Sequence, residues 1–245
     1  MKLIQLTDFH LFSNTKETLH GYCTYDCLKL VVDSIMGNVN LNADAVFITG
    51  DISEDKTLES YKLALKQVER LNLPIYFLAG NHDDKECMKS VFSRSSLVID
   101  TNEIHCKDWI LIKVDTVQYG EDSGLLSIDA KKEIEKSIAR YRNIKVALFM
   151  HHHPVAVGIP LVDGCMLLNS QDVFSLADAG NQLKSIICGH AHTQLTGMHN
   201  DCVIDVCPAT CFQWKAGART LETDDERGYK LLSFGEEYLS ETFLL

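Results

Sequence analysis

Five short apolar runs, each ending in polar residues able to bind a cation, constrain this chain more than any other feature of it. Residues 3–7 run into Asp8-Phe9-His10, and residues 45–49 into Gly50-Asp51. Residues 75–79 run into Gly80-Asn81-His82-Asp83, and residues 146–150 into His151-His152-His153. Residues 185–188 run into Gly189-His190-Ala191-His192. The runs are strand-length and rich in Val, Ile, Leu and Phe, as strands buried on both faces are.

Helical spacing fills the gaps between the early runs. Leu28, Val31, Val32 and Ile35 recur on one face, with Thr24 or Asp26 near the start as a cap. Leu58, Tyr61, Leu65, Val68 and Leu71 form a second stripe that stops before Asn72 and Pro74. Residues 85–92 and 130–141 predict two further helices. Strands alternating with helices imply parallel pairing with the helices outside, and such sheets bind ligands beyond the carboxyl ends of their strands. All five polar clusters sit at those ends, so segments distant in sequence are expected to meet there. After Gln194 the pattern changes to short strands at 195–198, 202–206 and 229–234, which read as a more antiparallel edge or second sheet.

The candidate ligands are Asp8, His10, Asp51, Asn81, His151, His190 and His192. Asp8 and His10 are two apart, as are His190 and His192, and in extended backbone that spacing turns both side chains to one side. Gly50, Gly80 and Gly189 precede ligand candidates and permit a sharp turn and a close approach. Carboxylate, imidazole and amide oxygen together suit Zn, Mn, Fe, Co or Ni better than Ca or Mg alone. Seven donors exceed one tetrahedral site and fit two metal ions sharing a carboxylate. Formally, two divalent ions less two aspartates and a hydroxide leave about one positive charge, enough to draw in a phosphodiester monoanion. His20, His105, His153 and His199 stand outside the pattern.

A net charge of −11 argues against a nucleic-acid polymer as partner, since that needs a basic face. Nine cysteines without a C-x-x-C pair read as reduced thiols. The first residues lack the form of a signal peptide, and no apolar run is long enough to span a membrane. A cytoplasmic protein is expected. With four prolines and no visible linker, residues 1–245 read as one domain.

The ligand clusters resemble the calcineurin-like metallophosphoesterases, whose pattern is D-x-H, G-D, G-N-H-D, a strand ending in H, and G-H-x-H. Here these are Asp8-Phe9-His10, Gly50-Asp51, Gly80-Asn81-His82-Asp83, Met150-His151-His152 and Gly189-His190-Ala191-His192. The resemblance implies an α/β fold, a four-layer αββα sandwich with two mixed β-sheets flanked by helices. It implies one metal on Asp8, His10 and His192, another on Asn81, His151 and His190, and Asp51 bridging both. The metals would be Fe, Mn, Zn or Co.

A finer resemblance is to the branch of bacterial cyclic-nucleotide phosphodiesterases and glycerophosphodiesterases. It rests on Gly80-Asn81-His82-Asp83-Asp84-Lys85, on Met150-His151-His152-His153-Pro154 followed by Asp163 and Asn169, and on residues 208–213. Leu161 departs from it, standing near where those enzymes often carry Trp. The implied activity is hydrolysis of small phosphodiesters such as cyclic AMP by in-line attack of a hydroxide shared by the metals. His82 would serve as proton donor to the leaving oxygen, oriented by Asp83, which is equally suited to cap the helix at 85–92. His152 and Asn169 are candidate substrate contacts. Trp109 and Trp214 read as packing residues, with Trp214 able to border the pocket. The rival readings are another ester, such as a glycerophosphodiester, and a non-catalytic interaction scaffold.

Overall fold

The computed structural model describes residues 1–141, 143–178 and 182–245. The first half of the chain runs β1 (Lys2–Leu6), α1 (Thr24–Gly37), β2 (Ala45–Thr49), α2 (Leu58–Val68), β3 (Ile75–Leu78), α3 (Lys85–Phe92), β4 (Glu103–Cys106) and β5 (Trp109–Lys113). It continues through α4 (Ile128–Arg140), β6 (Lys145–Phe149), α5 (Pro160–Asp163), α6 (Ser170–Asp178) and β7 (Leu183–Cys188). Six strands close it: β8 (Leu195–His199), β9 (Cys202–Val206), β10 (Gln213–Trp214), β11 (Thr223–Asp224), β12 (Gly228–Phe234) and β13 (Tyr238–Leu244).

Two mixed sheets result. One has the order β13-β12-β1-β2-β3, the other β4-β5-β6-β7-β9-β8, and β10-β11 form a separate ribbon. Within the first, β1, β2 and β3 are parallel; within the second, β5, β6, β7 and β9 are parallel. The tail forms the more antiparallel edges expected of it, with one parallel pairing. β8 runs antiparallel to β9, β12 to β1 and β13 to β12, while β9 pairs parallel with β7. Burial explains β9: Cys202, Ile204, Asp205 and Val206 are all enclosed, as a strand inside a covered sheet must be. β5 is just as apolar as the five runs but ends in no ligand, so no polar cluster marks it in the sequence.

Three apolar layers hold the sandwich. α1, α2 and α3 cover the first sheet through Leu28, Val31, Val32, Tyr61, Leu65 and Val91. α4 and α6 cover the second through Ile134, Val173 and Leu176. Between the sheets lie Leu3, Phe47, Trp109, Leu111, Phe149 and Ile187, with the rings of Phe47 and Phe149 stacked 4.0 Å apart at 9°. This order of helix, sheet, sheet and helix is the four-layer αββα sandwich. Its consequence for function is that the carboxyl ends of β1, β2, β3, β6 and β7 deliver Asp8, Asp51, Asn81, His151 and His190 to one rim. No helix among the described residues is long and apolar enough to cross a membrane.

Phe47 is wholly buried on the inner face of a central strand. Phe47→Ala should cost about 3–5 kcal/mol of unfolding free energy in a urea titration; a loss below about 1 kcal/mol would show that the two sheets do not depend on this contact.

Candidate metal centre

The strands stop short of the ligands, and the backbone beyond them is strained. Asp8, His10, Asp51, His190 and His192 adopt φ of 55°, 47°, 51°, 69° and 43°. Left-handed backbone is uncommon outside glycine and costs of order 1–3 kcal/mol per residue unless its surroundings hold it. The reading of Asp8/His10 and His190/His192 as extended pairs is thereby corrected. Their side chains converge because left-handed residues alternate with Phe9 and Ala191, not because a strand continues.

Loop-to-loop bonds hold these turns. Asp8 N donates to Gly50 O at 3.0 Å, while Phe9 N and His10 N both donate to Asp51 O, at 2.8 and 2.9 Å. His190 N donates to Asp8 Oδ2 at 3.0 Å, and His82 N to Asp51 Oδ1 at 2.9 Å. Gly50 has φ +99°, and a Cβ there would stand 2.5 Å from His151 Nδ1 and 2.6 Å from Gly80 N. A Cβ on Gly80 would fall 2.0 Å from Asp51 Oδ1. These two glycines let the loops after β2, β3 and β6 touch.

All seven predicted ligands meet. His151 Nε2 lies 3.1 Å from Asn81 Oδ1, 3.2 Å from Asp51 Oδ2 and 3.2 Å from His190 Nδ1. His10 Nε2 lies 3.1 Å from His192 Nε2 and 3.7 Å from Asp51 Oδ2. Asp8, His10 and His192 form one group of donor atoms within 4.8 Å of one another, and Asp8, Asp51 and His151 form another. Asp51 stands between the two groups of imidazoles.

The far nitrogen of each imidazole is anchored to an oxygen. His10 Nδ1 faces Glu54 Oε2 at 2.7 Å and His192 Nδ1 faces Phe212 O at 3.0 Å. His151 Nδ1 faces Thr49 O at 2.7 Å and His190 Nε2 faces Cys165 O at 3.1 Å. Each acceptor favours a ring proton on the outer nitrogen and turns the inner one toward the other ligands. Burial opposes a charge on His151, but Asp51 and Asp8 prevail and lift it to about 9, so that without metal it keeps its inner proton as well. Inner nitrogens then oppose each other at 3.1 and 3.2 Å, which only a proton or a metal cation between them can stabilise.

Electrostatics agree with that account. Burial, reinforced by neighbouring imidazoles, holds His190 and His192 well below the ordinary histidine range, so both keep free lone pairs. Burial also works against the charge on Asp51, but His151 and the other imidazoles outweigh it and leave the carboxylate ionised. Burial and the field of Asp51 lift Asp8 to about 6, and its Oδ1 has no hydrogen-bond partner. A fully buried carboxylate oxygen without a partner is the sort of atom a cation would satisfy. The donor set and its spacing fit a pair of metal ions.

The remaining candidates fall differently. The carboxylate beside His82 is Glu54, 2.9 Å from His82 Nδ1, and not Asp83. Asp83 faces away and accepts from Gly80 N, Ile52 N, Ser53 N and the Tyr61 hydroxyl, tying two loops together. The helix cap is Asp84, whose side chain accepts from Cys87 N. Asn169 is likewise corrected: its amide accepts from Leu126 N at 2.9 Å and donates to Leu126 O and Asp172 Oδ2, both at 2.8 Å, leaving nothing for a phosphate.

His152 is fully buried, its Nδ1 2.8 Å from Thr116 Oγ1, and lies outside the lining of the cavity. His153 is buried 3.8 Å from Asp163. Glu54 escaped the sequence reading because a lone acid three residues after Asp51 carries no spacing signal. Above the ligands opens a cavity of about 280 Å³ bordered by His10, Asp51, Glu54, Asn81, His82, His190 and His192, and by Leu161, Phe212 and Trp214.

Known proteins are similar to this chain over most of its length. The family model for calcineurin-like phosphoesterase matches residues 1–194. A probable cyclic nucleotide phosphodiesterase of Xenorhabdus bovienii is 34% identical over 97% of this chain and 97% of its own length. The 3′,5′-cyclic adenosine monophosphate phosphodiesterase of Vibrio vulnificus is 29% identical over 88% of this chain and 78% of its own. Among solved structures, a dimetal phosphatase from Danio rerio shares the fold with a TM-score of 0.68 over 98% of both chains, at 11% identity. With all five ligand-bearing strand ends inside the matched region, the chain belongs to the calcineurin-like phosphoesterases.

Proposed function

We propose that this protein hydrolyses 3′,5′-cyclic nucleotides, cyclic AMP among them, with two transition-metal ions at the rim of its two sheets. The observation that carries the reading is the meeting of seven metal donors beneath a cavity that His82 also borders. The substrate class is supported by the names of relatives that align over most of the chain. Asp8, His10 and His192 would hold one ion, Asn81, His151 and His190 the other, and Asp51 both. Because each sheet supplies ligands, residues 1–245 would act as one domain. The nine free thiols support a reducing compartment, the cytoplasm, as its place of work.

Bound ions would lower the pKa of water and neutralise charge on the phosphoryl group. The chain's own part is proton control and orientation. His82 Nδ1 is pinned to Glu54, which leaves Nε2 for the leaving oxygen. Burial opposes a charge on His82, yet the bond to Glu54 and the field of Asp51 prevail and lift it to about 9. A folded-state pKa above the ordinary 6.5 means that the metal-free protein keeps this proton through neutral pH and loses it as pH rises through about 9. Glu54 also grips His10, so one carboxylate orients a ligand and the proton donor together.

Three measurements test this reading. Metal-loaded protein should hydrolyse cyclic AMP in a panel with glycerophosphocholine and an aryl phosphodiester, and chelation should abolish the activity; full activity without metal, or none on cyclic AMP, would overturn it. Asn81→Ala should cut turnover by orders of magnitude and His105→Ala should leave it nearly intact, since His105 is exposed beside Glu103; equal losses would mean the site is misplaced. By NMR of the metal-free protein, the His82 ring should titrate near 9 and move down in Glu54→Gln. An unmoved titration would remove Glu54 from the proton path.

A further inference from the structure

The cavity has a side that phosphate chemistry does not use. From the metal ligands outward its wall is aromatic: the ring of His192 lies 4.8 Å from Phe212 and 5.6 Å from Trp214, and His20 lies 5.5 Å from each of the same two rings. Phe212 is fully buried and is backed by Tyr22, stacked on it at 5.3 Å and 23°. Trp214 is partly exposed and His20 exposed, so these two present ring surface to the cavity. Leu161 and Val162 of α5 line the same cavity.

This wall is held in place. Leu19 and Tyr22 exchange two backbone bonds of 2.9 Å, closing a tight turn that keeps His20 at φ 50°. Trp214 N donates to His192 O at 2.9 Å, coupling the aromatic strand to the ligand loop. Leu161 N donates to Ala218 O at 3.1 Å, tying α5 to the turn that follows Trp214. A strained residue persists only where its surroundings insist on it, and here they fix a ring beside the cavity.

We infer that the surface made by His20 and Trp214, supported by Phe212 and faced by Leu161, is a nucleobase subsite for the substrate whose phosphate the metal ligands serve. The inference rests on the proposed phosphodiesterase reading and adds what selects the substrate. A glycerol or aminoalcohol ester has no flat apolar group to fill such a slot, whereas every nucleobase does. Stacking uses the ring face, so the site accepts adenine and guanine alike and selects cyclic nucleotides against base-free diesters.

Isothermal calorimetry on the metal-loaded protein compares adenosine 5′-monophosphate with ribose 5-phosphate, which differ by the base alone. Wild type should prefer the nucleotide by about tenfold or more, and guanosine 5′-monophosphate should match it within about tenfold. Trp214→Ala and His20→Ala should each reduce that preference, and Trp214→Phe, which keeps a ring, should retain most of it. Equal affinity of wild type for the two ligands, or an undiminished preference in Trp214→Ala, would overturn the subsite. A Trp214-dependent preference for phosphocholine over phosphoethanolamine exceeding that for the base would assign the wall to a cation and overturn it too. Failure of wild type to hydrolyse cyclic AMP in the separate assay would instead strike the proposed function, so the two ideas fail by different measurements.

Discussion

Four imidazoles, each with its outer nitrogen bonded to a fixed oxygen, point their inner nitrogens at one another and at two buried aspartates. That arrangement is the constraint on which the rest of the structure depends. Without a cation or proton between them, lone pairs at 3.1 and 3.2 Å repel. The fold must therefore supply enough binding free energy elsewhere to hold them together. It does so with backbone carbonyls of Thr49, Phe212 and Cys165 and with the carboxylate of Glu54, none of which can release its histidine without losing a hydrogen bond of its own.

The sandwich is organised around this demand. Three parallel strands of one sheet and two of the other end at the same rim, and stacking of Phe47 on Phe149 fixes the distance between the sheets that bear Asp51 and His151. The left-handed residues at five of the seven ligand positions are the local cost of turning side chains inward within two to four residues of a strand end. Bonds from Asp8, Phe9 and His10 to the loop at Gly50 and Asp51 offset it, as does the grip of Asp83 on Gly80, Ile52 and Ser53. Ligand geometry and loop architecture are thus one feature, and the cavity above them inherits its rigidity.

Much of this was legible in the sequence. Apolar runs ending in ligand types identified the strands, and the convergence of parallel carboxyl ends foretold the meeting of Asp8, Asp51, Asn81, His151 and His190. What remained hidden depended on contacts between distant segments. Glu54 and Asp83 are both acids near ligands, and only three dimensions show that the first grips His82 while the second braces two loops. Asn169 carried the right residue type but spends its amide on Leu126 and Asp172. β5 ends in no ligand and so carries no such signal, and the parallel pairing of β9 with β7 left no mark because the strand's short length hides that both its faces are covered. The aromatic wall joins His20 to Trp214, nearly the length of the chain apart, and no periodicity links them.

The most direct test of the central claim is a crystal structure of the protein grown with manganese, with anomalous scattering used to locate the metal. Two anomalous peaks flanking Asp51, one against Asp8, His10 and His192 and the other against Asn81, His151 and His190, are the predicted result. A single peak, or metal bound away from Asp51 while these side chains stay as they are, would contradict the account.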